Sequence, residues 1–267
     1  MNIRHQLSLL RRTLAYRFIT TFSLGLRCRA GTDGPKTAPV IRLYPQSRLE
    51  CQRCWPLFKG TYNEKAFLNA FLGACTEGSV VYDIGAHIGV FCLFAGKVVG
   101  ASGKVFAFEM DSQNHNSLCL NVRRNKMACI KVIKKAVSSA CGTLRYRRTT
   151  EESGDGAASV CVNDQATHEA EMVCIDHLVA RREIDAPDVV KIDVEGHELA
   201  VIKGMRETLR ANSVKIFVEV HASLLQECGS SYDELNAALE DLDYHKAKDM
   251  TLPLRAEMHL MYCKNAT

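Results

Sequence analysis

The stretch Ser79–Phe91 reads SVVYDIGAHIGVF, and its reading decides the fold. Val80, Val81 and Tyr82 make a short apolar run, as expected of a strand buried on both faces of a parallel sheet. Asp83 ends the run, Gly85 and Gly89 frame a tight turn, and an apolar helix follows from about Ile88 to Val99. A strand, an acid and a glycine turn opening a helix form the first βα unit of a cofactor-binding α/β sheet. The dinucleotide fingerprint would need glycine at 87 and 90, where His87 and Val90 stand. Gly85, having no Cβ, is expected to let the backbone approach a ligand closely.

Working outward, Lys104–Phe108 (KVFAF) reads as the next buried strand, with Glu109 at its C-terminal end, 20 residues after Gly89. An acid at this place in a doubly wound sheet takes two ribose hydroxyls. The glycines and Asp83 alone would serve equally well as a tight turn and a helix cap. Glu109, arriving in phase, favours an adenosine-containing cofactor. A carboxylate at Asp83 would repel a pyrophosphate and suit an amine or sulfonium, which points to S-adenosylmethionine.

The second informative stretch is Asp188–Met205, DVVKIDVEGHELAVIKGM. Val189–Ile192 reads as a buried strand with Asp193 emerging at its C-terminal end, where ligands sit in open α/β sheets. Lys191 and Asp193 share strand parity and are expected on one side. Glu195 and Glu198 suit the positive end of the helix that follows, through Leu199, Ile202, Met205 and Leu209. That explains Glu198 but not Asp193 together with Glu195. Val214–Val220 is a further strand, closed by Glu219 and His221 on the same side. His221 is therefore a candidate general base.

The remaining chain bounds the problem. Its 267 residues suit one large α/β domain with additions, and 47% hydrophobic content allows a real core. A net charge of +4 is too mild to argue nucleic-acid binding. The 12 cysteines are scattered singly, with Cys92, Cys119, Cys129 and Cys174 in apolar surroundings, which suggests an intracellular, reducing compartment. Cys51 and Cys54 form a C-x-x-C without a second ligand pair, so they read as unpaired thiols. No run is long and apolar enough for a membrane span. Residues 1–32 carry Arg4, Arg11, Arg12, Arg17, Arg27 and Arg29 and no acid, which reads either as an organellar targeting segment or as a basic arm. Residues 33–60 read as a linker or N-terminal extension with a short strand at Val40–Leu43, and 61–267 as the catalytic domain. Within it, Asn63–Ala74 is an amphipathic helix, Asp111 or Ser112 caps another, Lys134–Ser138 is a loop, and Thr143–Cys174 is a β-insertion with a polar turn at Glu151–Gly156.

Taken in order, VVYDIGAHIGVF, VFAFEM, KAVSS, DVVKIDVEGHELAVIKGM and IFVEVH resemble the FkbM-type S-adenosylmethionine-dependent methyltransferases. The resemblance covers about Asn63 to His221, and Lys191–Glu198 is its most specific part. It implies a class I methyltransferase, Rossmann-like sheet of seven strands with the last antiparallel, and O-methylation of a hydroxyl on a sugar or small metabolite. It also implies that Asp83, Gly85 and Gly89 shape the methionine side of the site, Glu109 binds ribose, Ala136 lines adenine, and Asp193, Glu195 and His221 face a small-molecule or glycan acceptor. Two carboxylates, Asp193 and Glu195, are too few donors to argue a metal, so none is expected. The competing readings are a non-catalytic binding protein that kept the fold and an NAD-dependent oxidoreductase. The missing glycines argue against the second.

Overall fold

In the computed structural model, alternation along five short strands builds the centre of the molecule. Residues 13–21, 24–30, 38–150, 153–154, 159–160, 166–253 and 255–265 are described. The main sheet has the order β12-β13-β11-β10-β3-β4-β5. Its strands are β3 (Val80–Ile84), β4 (Lys104–Phe108), β5 (Ile130–Ile133), β10 (Val189–Ile192), β11 (Lys215–His221), β12 (Tyr244–Asp249) and β13 (Glu257–Lys264). Neighbours from β11 to β5 pair in parallel, and β13 alone runs against the strands beside it. This is the seven-stranded sheet the sequence resemblance implied. Side-chain parity sends Val81, Val105, Ala107, Val189 and Phe217 into one apolar cluster and Tyr82, Phe106, Phe108, Val190 and Val218 into another. Both faces are thus covered, as a parallel sheet requires.

On the first face, α3 (Lys65–Ala74) buries Phe67, Leu68, Phe71 and Leu72, and α4 (Val90–Val99) buries Phe91 and Phe94. The helix α5 (Ser112–Arg124) starts at Asp111, whose Oδ1 accepts the Gln113 and Asn114 N–H groups. The helix after Asp193 is two helices, α7 (Glu198–Gly204) and α8 (Arg206–Ala211), broken at Met205 (φ −125°). Asp176, in the first turn of α6 (Ile175–Ala180), caps α8 from outside by accepting the Glu207 and Thr208 N–H groups. No described helix is long and apolar enough to cross a membrane.

Three sequence expectations are corrected. First, the described residues 38–60 are a packed extension rather than a linker. The strand β2 (Val40–Leu43) pairs with β1 (Leu26–Arg29), and α2 (Arg48–Lys59) packs Cys51, Cys54 and Leu57 into the first core cluster. Pro56 inside α2 disguises the helix in the sequence. Ser47 caps it, and the buried Glu50 bonds both the Gln46 N–H and the Ser117 hydroxyl, tying α2 to α5. Second, the described part of the basic N-terminal segment is packed. Residues 13–21 are helical (α1), and Tyr16, Ile19, Leu26 and Cys28 are buried in the same cluster. Third, Lys134–Ser138 is not simply a loop. It contains β6 (Ala136–Val137), which joins a second sheet of order β6-β9-β7-β8, built with β7 (Gly142–Arg147), β8 (Ser159–Val160) and β9 (His168–Val173). That sheet is the expected β-insertion. It docks on α5 through Asp111, whose Oδ2 accepts the Tyr146 hydroxyl at 3.1 Å and lies 3.3 Å from Arg148 Nε. Part of the polar turn expected at 151–156 lies outside the described residues.

A chain lacking residues 1–32 is therefore expected to lose at least about 3 kcal/mol of stability, since several large side chains leave the core and α2 is uncovered. Urea denaturation of the two chains checks this. Equal midpoints would mean that α1 and β1 pack without consequence.

Candidate active site

The parallel register sets Lys191 of β10 directly opposite Asp83 of β3. Both are buried, with side chains 3% and 0% exposed. Lys191 Nζ donates to Gly85 O at 2.9 Å and to Asp193 Oδ2 at 3.0 Å, and lies 3.5 Å from Asp83 Oδ1. It also stands 5.2 Å above the Phe91 ring. One ammonium thus ties together the turns that end two neighbouring strands. Asp83 Oδ2 accepts the Cys92 N–H at 2.9 Å in the first turn of α4. Burial pushes the Asp83 carboxyl up, and Lys191 pulls it back. Burial opposes the charge on Lys191 too, but Asp193 and Asp83 outweigh it and hold the amine above its usual range.

Gly85 has φ +81°, and a Cβ there would fall 1.7 Å from Asp193 O. The close approach expected of Gly85 is therefore first an approach of one turn to the next. Gly89, the left-handed N-cap of α4, would press a Cβ against Leu118 Cδ1 at 2.6 Å.

Above these turns opens a cavity of about 470 Å³, within the range that holds a nucleoside-sized ligand. Gly85, Ala86, His87, Glu109, Ala136, Val137, Leu144, Asp193 and Glu195 are among the residues that line it. Asp83 and Gly89 are not among its lining residues: they act beneath the floor, on Lys191 and on α4. Glu109 Oε2 accepts the His87 N–H at 2.7 Å and Oε1 accepts the Asp111 N–H at 2.8 Å. His87 reaches that bond from a left-handed backbone (φ 52°). Burial pushes the Glu109 carboxyl up to about 7, against the two N–H groups.

At the other end, His221 lies between acids. Its Nε2 is 3.5 Å from Asp193 Oδ1 and 3.7 Å from Glu219 Oε1, and its Nδ1 is 3.5 Å from Glu195 Oε2. Burial works against the imidazolium, but Asp193, Glu195 and Glu219 prevail and lift it to about 10. That direction works against the role of general base expected of His221. Glu195, left-handed at φ 52°, is pushed up to about 8 by burial and then by Asp193. Burial also acts to raise Asp193, but Lys191 and His221 hold it well below the usual carboxylate range.

A family profile described as the methyltransferase FkbM domain matches residues 83–246. The chain belongs to the FkbM methyltransferase family. Residues 83–246 are thus a methyltransferase domain. Over 161 residues it is 29% identical to the hexuronic acid methyltransferase AglP of Haloferax volcanii, a match covering 60% of this chain and 64% of AglP. The chain thus spans slightly under two thirds of that relative. A solved methyltransferase FkbM from Methylobacillus flagellatus KT aligns with 96% of this chain and 60% of its own, at 16% identity and a TM-score of 0.49. A putative rRNA-methylase from Clostridium thermocellum aligns with 74% and 93%, at 12% identity and a TM-score of 0.49.

The methyltransferase cavity also has a wall that sequence reading missed. Arg53 and Pro56 of α2, and Thr61, Tyr62, Asn63 and Glu64 before α3, line it and precede the matched region. Tyr62 donates its hydroxyl to Glu64 Oε2 at 2.5 Å. His259 of β13 lies opposite Glu219 in the antiparallel register, its Nε2 3.3 Å from Glu219 Oε2.

Proposed function

We propose that this methyltransferase methylates a hydroxyl of a sugar or similar polyhydroxylated small molecule. The observation that carries the reading is the convergence of Asp193, Glu195 and Glu219 on the cavity wall, with His221 packed between them. Hydrogen-bonding side chains at that density suit a ligand rich in hydroxyls. The hexuronic acid named for AglP supports a sugar acceptor.

Glu109 fits the ribose of the cofactor. Each of its oxygens takes only one backbone N–H, so acceptor capacity remains for two hydroxyls. Gly85 and Ala136 complete that side, with Val137 and Leu144 as apolar wall. Bound S-adenosylmethionine supplies an electrophilic methyl group on a good leaving group, so the chain's task is positioning and exclusion of water. The acceptor proton passes to Glu195, whose ionised form is a base matched to working pH. His221, between them, holds Asp193 and Glu195 in place.

The test is labelled methyl transfer from S-adenosylmethionine to uronic acids, neutral sugars and phenols, followed by mild alkali. An alkali-stable methyl ether on a sugar is expected. A labile ester would place the methyl on a carboxylate and overturn the hydroxyl reading.

The pH dependence of binding follows from Glu109. Its folded value lies above the unfolded one, so its charge disfavours folding. Its contribution to stability is complete below about 4.3 and is lost as pH rises toward 7. Cofactor binding wants the ionised form and runs the other way. Calorimetry should find S-adenosylmethionine about thirtyfold weaker at pH 5.5 than at pH 8. Glu109→Gln should flatten that dependence.

A further inference from the structure

We propose that Asp193, Glu219 and His221 bind a divalent first-row cation of the Mn²⁺ kind at the acceptor end of the cavity. The expectation of a metal-free site counted Asp193 and Glu195 alone. Tertiary structure adds a carboxylate and an imidazole from β11, and the ligating atoms of Asp193, Glu219 and His221 all lie within 4.8 Å of one another.

The contact lengths favour a cation over hydrogen bonds. Charge-assisted N–H···O bonds are about 2.7–2.9 Å long. His221 Nε2 stands 3.5 Å from Asp193 Oδ1 and 3.7 Å from Glu219 Oε1, and it is buried with no hydrogen-bond partner. Ligands held at roughly 2.1 Å from one cation lie about 3.0–3.4 Å from each other, and the two distances from His221 Nε2 are within a few tenths of an ångström of that range.

A second observation comes from the other side of Glu219. His259 is 3% exposed, and its Nε2 is likewise buried without a hydrogen bond, 3.3 Å from Glu219 Oε2. Glu64 closes a second group with Glu219 and His259. Glu219 is thus flanked by two buried imidazole nitrogens, His221 Nε2 at 3.7 Å from Oε1 and His259 Nε2 at 3.3 Å from Oε2, neither in good hydrogen-bond geometry. With the cation on Oε1, His259 holds Oε2, the arrangement that orients a metal-binding carboxylate.

The other ends of the ligands are already fixed. Lys191 takes Asp193 Oδ2 and leaves Oδ1 for the cation. Glu195 Oε2 lies 3.5 Å from His221 Nδ1, so Nε2 is the nitrogen that faces Asp193 and Glu219. Two carboxylates and one imidazole suit Mn²⁺ better than Ca²⁺. Three protein ligands leave positions open toward the cavity, and these suit an acceptor with two adjacent oxygens, such as a vicinal diol or a hydroxy acid. The cation would lower the pKa of the attacking hydroxyl. That role rests on the hydroxyl-methylation reading above; the binding itself does not.

Mn²⁺ is titrated into the chelator-treated full chain and followed by electron paramagnetic resonance, with S-adenosylmethionine binding measured by calorimetry on the same samples. One saturable site is expected, weakened at least about tenfold in Glu219→Gln and in His221→Gln. Circular dichroism confirms that each variant is folded, and either folded variant suffices. Absence of saturable Mn²⁺ binding in a chain that binds S-adenosylmethionine overturns the proposal, as does wild-type binding in a folded variant. Mn²⁺ binding without any methylated hydroxyl would leave the site standing and remove the hydroxyl reading.

Discussion

Asp193→Asn is expected to lower kcat by about a hundred- to ten-thousand-fold while S-adenosylmethionine still binds. The substitution keeps the shape of the side chain. Its amide oxygen can still accept from Lys191, so the joint between the two turns survives. What is lost is the negative charge facing His221 at 3.5 Å. Without it the imidazolium is less well held and Glu195 loses its fixed neighbour. Glu109 and the adenosine wall, at the other end of the cavity, are untouched. Single-turnover transfer and calorimetry on the same sample separate the two effects. Turnover within tenfold of wild type would show that the chemistry is not carried at the end of β10.

Lys191→Met is expected to cost about 3–5 kcal/mol of stability, because it strands the Asp83 carboxylate in the core. Asp83 would keep only the Cys92 N–H, and Gly85 O and Asp193 would each lose a donor. A methionine of similar length fills the space but cannot supply charge. The double variant Asp83→Asn, Lys191→Met should recover part of the loss, since asparagine still accepts from Cys92 and leaves no charge behind. Urea midpoints at constant slope measure both. If Lys191→Met alone cost under about 1 kcal/mol, the buried triad would not be what joins the two turns.

The buried strands of the main sheet were readable because their apolar runs are local and dry on both sides. Lys191 and Asp193 were placed on one side by parity alone, and they do meet. Glu219 and His221 were paired by the same rule. The helix α2 was not readable, because Pro56 and the proline- and glycine-rich stretch before it mimic a linker. Its burial depends on α1 and on Ser117, which are distant in sequence. His221 was found but its state was not. A histidine at the end of a strand looks like a base until the carboxylates around it are counted in space.

The sequence by itself determined the strand order's first unit, the acids that end the strands, and the family. Backbone geometry imposes periods of two and 3.6 on neighbouring residues, and those periods can be read without a partner. Only the tertiary structure decided that Lys191 stands opposite Asp83, that His259 stands opposite Glu219, and that α2 and Glu64 wall the cavity. Register and docking are set by packing between segments far apart in the chain, and the charge state of a buried group is set by whatever that packing brings within a few ångströms of it.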